Sequence, residues 1–150
     1  MDLLKLVALD KDDIAVISTH LQDAVLKVGD IVWQPADKRL VLGINRFDWE
    51  AAQHGPADFR RRRTALRFDR VHSVKCRNID RSKPDAVLNL LAVTFDETDP
   101  PSGVLTLMFS GGAALRLEIE CLELEFVDLG PMWPTTVCPE HVAEVLAHRG

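Results

Sequence analysis

The stretch VLTLMFSGGAALRLEIEC, Val104 to Cys121, constrains the fold more than any other part of the chain. Two apolar-alternating runs are joined at Gly111-Gly112. A period of two puts Leu115, Leu117, Ile119 and Cys121 on one face and Arg116, Glu118 and Glu120 on the other. Paired glycines supply the positive backbone angles that a tight antiparallel connection requires, so the segment reads as a β-hairpin. It is not a phosphate loop. It has neither G-x-G-x-x-G nor Gly-Lys-Ser/Thr, and no strand-to-helix setting. The parity slips after Cys121, where Leu122, Leu124 and Phe126 become the apolar set. A bulge or a new element therefore begins there.

The rest of the chain is organised around similar runs. Leu3 to Leu9 reads as a first strand. Asp10, three places before Asp13 and ahead of Ile14, Ile17 and Leu21, is an acidic N-cap with Leu9 placed to staple onto Ile14. It predicts a helix from about Lys11 to His20. LQDAVLKVGDIVWQ reads as a strand bulged at Gly29, forming a hairpin with RLVLGINRFDWE through the turn QPADK. AAQHGPAD is a loop. Leu66, Phe68, His72, Val74 and Cys76 alternate with polar neighbours, interrupted at Arg70. AVLNLLAVTF, nearly continuous in apolar residues, predicts a central buried strand; DETDPPSG is a loop and GPMWPT irregular. CPEHVAEVLAHR, with Pro139 at its start, predicts a closing helix.

The expected fold class is α+β: a single domain over 1–150, with about seven or eight strands in an antiparallel half-barrel or sandwich and a helix near each end. A pleckstrin-like barrel fits that strand count. A chain of 150 residues is long enough to bury a core without disulfides or metal. Three irregularly spaced cysteines, Cys76, Cys121 and Cys138, fit reduced thiols and a cytoplasmic location. No apolar run is long enough to span a bilayer, and MDLLKLVALD lacks the basic leader of a signal peptide, so no membrane role is expected.

Four segments carry a resemblance in order: LQDAVLKVGD, NRFDWE, ALRFDRVHSVKCRNIDRSKPDAVLNLLAVTF and SGGAALRLEIECLE…DLGPMW. The chain resembles an uncharacterised bacterial family of about this length, classed only as a domain of unknown function. The likeness runs from Leu3 to about Trp133. It implies a bacterial cytoplasmic protein of one domain and brings no activity, cofactor or catalytic residue.

Charge is the remaining signal. Residues 59–83 hold ten of the eighteen basic residues against two acidic ones, in a chain whose formal net charge is −5. Segregation of this kind is what a polyanion site needs, and Arg60, Arg61, Arg62, Arg63, Arg67 and Arg70 are the candidate binding residues. Successive strand residues face opposite sides, so Arg60 and Arg62 cannot share a face with Arg61 and Arg63. The run has no interleaved aromatics to stack bases, and the chain has no tyrosine. A solvated strand edge, neutralised by acids such as Glu118 and Glu120 across from Arg67 and Arg70 or by their copies in a second subunit, is the plainest reading. An acidic protein partner, a homodimer or a small anion comes next, and nucleic acid after that.

Other clusters carry less. Cys138 and His141 have the i, i+3 spacing of two metal ligands, with Cys121 a hypothetical third, but a complete site is not present and no metal or cofactor is expected. Asp69 and His72 beside Arg70 have the types of a base and its orienter, without a nucleophile tied to them. Trp33, Trp49 and Trp133 read as core or rim plugs. The reading favoured by sequence is a non-enzymatic binding domain that docks an acidic partner through an Arg-rich strand edge. The alternatives are a nucleic-acid accessory protein and a small enzyme with an unrecognised site.

Overall fold

The computed structural model of the protein describes residues 3–52, 55 and 60–134. The strands are β1 (Lys5–Ala8), β2 (Val25–Lys27), β3 (Ile31–Gln34), β4 (Arg39–Phe47), β5 (Arg60–Phe68), β6 (Val71–Arg77), β7 (Val87–Asp99), β8 (Ser102–Phe109), β9 (Ala114–Ile119) and β10 (Leu124–Pro134). The helices are α1 (Lys11–Leu21) and the single turn α2 (Trp49–Ala52). All ten strands join one antiparallel sheet in the order β1-β10-β5-β4-β2-β7-β8-β9-β6, with β3 paired to β4 beside that path.

A single apolar cluster draws from both arms of this path. It takes in Leu40, Leu42 and Ile44 of β4, Leu105 and Leu107 of β8, and Leu115 and Leu117 of β9. A flat sheet cannot bring those faces into one core, so the sheet curls until its two arms share an interior. Ile14, Ile17 and Leu21 of α1 are buried in the same cluster. Each fully buried leucine or isoleucine contributes about 1.5–3 kcal/mol of transfer free energy.

Local signals account for much of this. Asp10 caps α1, its carboxylate accepting the Asp13 N–H at 2.9 Å, while Asp13 reaches back to the Leu9 N–H at 3.0 Å. Such a cap contributes about 1 kcal/mol. Leu9 itself stays 64% exposed, so the expected staple onto Ile14 buries little. Gly111 and Gly112 both have φ of 74°, the left-handed geometry that turns β8 into β9. The parity slip after Cys121 marks a true change of element, since β10 begins at Leu124 and pairs with β5 and β1.

Several expectations are corrected. LQDAVLKVGDIVWQ is not one bulged strand. A 3-10 turn at Val28–Asp30 splits it, sending β2 to β7 and to Asn45 of β4, and β3 to the other end of β4. The alternation broken at Arg70 likewise belongs to two strands. Arg70, at φ 61°, turns the chain from β5 into β6, which pairs with β9 at the far end of the sheet. AVLNLLAVTF is central in pairing but open on one face, where Leu91 is exposed. The segment read as irregular, GPMWPT, continues β10 as far as Pro134. The strand count is ten rather than seven or eight among the described residues. The expected C-terminal helix, with Cys138 and His141, lies outside the described residues. None of the described helices is long and apolar enough to cross a membrane.

Candidate functional site

The six arginines expected to form one edge fall on β5 and the turn after it, and pleating separates them. On β5, Arg62, Thr64, Leu66 and Phe68 follow one phase and point into the curled sheet. Arg62 therefore sits in the core wall, 5% exposed, its Nε donating to Asp48 Oδ2 at 2.6 Å. Its Nη1 is buried, with no hydrogen-bond partner among the described residues.

Arg62 lies directly opposite Arg46 of β4, which is 1% exposed and follows Leu40, Leu42 and Ile44 on the inward phase. Two facing cations in the interior repel strongly because little solvent screens them. Asp128 of β10 compensates the second. It accepts Arg46 Nε at 2.9 Å and Nη2 at 2.8 Å, Thr64 Oγ1 at 2.7 Å and the Leu4 N–H at 3.0 Å. Arg46 also lies over the Phe126 ring, 5.3 Å from its centre. Burial alone pushes the Asp128 carboxyl up, but the hydrogen bonds and the Arg46 charge outweigh it and hold its pKa below the ordinary value.

The remaining candidates are spread over the other face. Arg61 is buried, donating to the Asn45 carbonyl at 3.3 Å and stacked 5.9 Å from the Phe47 ring centre. Arg63 donates to Asn45 Oδ1 and to Asp30 Oδ2, each at 3.2 Å. Arg67 bridges Asp69 at 3.1 Å and Glu125 at 2.7 Å. Arg39 holds the second oxygen of Asp69 at 2.8 Å, a hydrogen bond that raises the Arg39 pKa. Arg70 reaches Glu123 at 3.4 Å and Glu120 at 3.9 Å. Glu120 was an expected partner; Glu118 instead stands across from Ser73. For Arg60 only the backbone is described, in register with Pro134.

The Asp69–His72 pairing does not form. Asp69 is occupied by Arg39 and Arg67, and His72 is exposed on β6. Among the described residues no group of three or more metal-ligating side chains assembles, and Cys76 and Cys121 are free thiols. Trp33 packs against the core, while Trp49 donates its indole N–H to the Gln22 carbonyl at 3.1 Å and meets Phe47 edge-on at 4.7 Å.

Uncompensated positive charge lies elsewhere in the basic stretch. On the outer face of β6 and β9, Lys75 stands directly opposite Arg116, with Arg77 two residues along. All three are exposed, and among the described residues no carboxylate lies within 4 Å of them. Arg77 donates to the Gly112 carbonyl at 3.3 Å. With Thr106 of β8 the three cations rim a shallow depression of about 300 Å³. β6 is the last strand of the sheet, so this face is open along one edge. Acid resumes one row on, at Glu118 and at Asp96. Arg116 is the residue that sequence reasoning missed. Its available signal was its place on the polar phase of β9, but its partner strand was not identifiable from the run itself.

Neither a curated protein nor a solved structure matches the chain. A family profile does, over residues 4–141, and with that span the chain belongs to the family described as protein of unknown function (DUF2948).

Proposed function

We propose that the protein is a binding domain that docks an acidic protein partner on the outer face of β6 and β9, through Lys75, Arg77 and Arg116. The observation that carries this is the direct opposition of Lys75 and Arg116, with no carboxylate of the described residues within 4 Å of either. Like charges opposed across a ladder cost a few tenths of a kcal/mol to about 1 kcal/mol, a cost that an acidic partner converts into attraction. Arg62, Arg63, Arg67 and Arg70 are each matched by a carboxylate of the same chain, which leaves the Lys75 cluster as the better docking surface.

A fluorescent poly-glutamate peptide titrated at low and high salt tests the reading. Wild type binds at low salt and releases as salt rises. The double variant Lys75→Glu/Arg116→Glu loses the peptide, whereas Arg67→Glu keeps it. Equal binding by wild type and the double variant removes this face from any docking role. Tighter binding of duplex DNA than of poly-glutamate at matched salt moves the reading to nucleic acid.

A second copy of the chain is an acidic partner with a specific warrant. The same face runs from the cations to Glu118 and Asp96, with Met108 exposed between the strands that carry them, so it is complementary to itself under a two-fold axis. Sedimentation of wild type against the double variant distinguishes a homodimer from a foreign partner.

A further inference from the structure

A cavity of about 520 Å³ opens on the outer surface where β2 links β4 to β7. Its size falls within the range of small-molecule sites, roughly 300–1,000 Å³. It shares no lining residue with the depression on the β6–β9 face.

Three features show that the cavity is built rather than left over. The rim is tied together by backbone: Val28 N–H donates to the Ala86 carbonyl at 2.9 Å and Gly29 N–H to the Pro84 carbonyl at 2.8 Å. A Cβ at Gly29 would meet Pro84 Cβ at 3.0 Å, so the two rim segments touch closely. Arg63 is pinned from one side by Asn45 and Asp30. Its guanidinium lies across Gly43, where a Cβ would come within 2.6 Å of Nη2. Glycine at position 43 is thus what lets Arg63 occupy this wall.

The two bonds to Asn45 and Asp30 use two of the five guanidinium donors, leaving three for a ligand. Lys27 and Asp85 also line the cavity, and Val25 and Val87 give it apolar surface. The four charged groups comprise two cations and two carboxylates. A simple anion would meet Asp30 and Asp85, and a simple cation would meet Arg63 and Lys27. A ligand carrying both charges satisfies the set.

We propose that this cavity binds a small zwitterion of the amino-acid class, with its carboxylate on Arg63 and Lys27 and its ammonium on Asp85.

Calorimetric titration of the whole chain with a panel of free amino acids and dipeptides, each beside its N-acetylated and its carboxamide derivative, tests the assignment. At least one zwitterion binds, and removing either of its charges weakens it about tenfold or more, the effect of losing one charge-assisted hydrogen bond. Arg63→Ala abolishes binding, and Gly43→Ala, which displaces the guanidinium, weakens it. Arg63 also ties β5 to Asp30, so the exposed Asp85→Asn variant provides a readout that does not depend on that tie. In it the N-acetyl derivative is no longer discriminated against. Lys75→Glu/Arg116→Glu leaves the titration unchanged, which separates this site from the docking face. The proposal is overturned if no panel member binds wild type, if the blocked derivatives bind as well as the zwitterion, or if Asp85→Asn retains full discrimination.

Discussion

Replacing Asp128 by asparagine tests the most consequential interaction in the interior. The side chain keeps its shape but loses its charge and one acceptor. Four donors converge on the native carboxylate: Arg46 Nε and Nη2, Thr64 Oγ1 and the Leu4 N–H. An amide has one oxygen, so in either orientation its NH₂ group faces one of the two Arg46 N–H donors, Nη2 beside the Leu4 N–H or Nε beside the Thr64 hydroxyl. Arg46, 1% exposed and directly opposite Arg62, then loses the carboxylate charge that its Nε and Nη2 both bond. Removing one partner of such a pair costs about 3–5 kcal/mol. That is a large share of the ~5–15 kcal/mol by which domains are stable, and corresponds to a fall of about 6–20 °C in Tm for a chain of this size. Urea unfolding followed by circular dichroism measures it. The double variant Arg46→Met/Asp128→Leu completes the argument, because removing both charges takes the acceptor from Thr64 and the Leu4 amide, about 1–3 kcal/mol for each such group, without breaking an ion pair on one side. Its cost falls well below the sum of the two single variants. An Asp128→Asn protein within about 1 kcal/mol of wild type, or strictly additive single costs, refutes the claim that this pair is coupled in the core.

Other perturbations follow from the same coordinates. Because the folded-state pKa of Asp128 is depressed, its contribution is fully present above the unfolded value of about 4 and is lost as pH falls through the folded value; the urea midpoint of wild type drops in that acid range, and Asp128→Asn flattens the drop. Gly103→Ala places a methyl 2.5 Å from Phe95 Cε1 and 2.6 Å from the Asp96 carbonyl oxygen, and thermal melts show a loss of about 1–3 kcal/mol. Arg67→Ala changes stability by less than about 1 kcal/mol, since its pairs with Asp69 and Glu125 are exposed; a larger loss in denaturant titration contradicts that. Lys75→Glu turns a repulsive cross-strand pair into an attractive one and raises stability by about 0.2–1 kcal/mol while weakening poly-glutamate binding; a loss of stability removes the like-charge argument.

What could be seen in the sequence was local. The Gly111-Gly112 turn, the Asp10 cap and the parity change after Cys121 each depend on a few neighbouring residues, and each is present in the structure. What could not be seen was long-range pairing. VLKVGDIVW has strand-forming residues on both sides of Gly29-Asp30, but the positions of β4 and β7 decide that its halves go to different partners. The interior charges left a trace that was not followed. Arg46 continues the phase of Leu40, Leu42 and Ile44; Arg62 precedes Thr64, Leu66 and Phe68; Asp128 follows Leu124 and Phe126. A charged residue at the end of an apolar phase, on strands carrying both signs, is the pattern of a buried pair. The partners, Arg46 and Asp128, lie 82 residues apart, so nothing local could join them.

The pleat thereby places cations of the basic stretch, each opposite a cation from another strand, in two physical regimes. At Arg46 and Arg62 two cations face each other across a ladder in a medium of low polarisability, where their repulsion reaches many times its value in water. Carboxylates stand against both cations, Asp128 on Arg46 and Asp48 on Arg62. At Lys75 and Arg116 the opposition recurs at the surface. Water reduces the repulsion to about 0.2–1 kcal/mol, so the fold persists with no carboxylate of the described residues within 4 Å. Opposed cations are therefore structural where they are buried and solvated where they are not. Position on the strand, rather than the density of arginines along the chain, decides which.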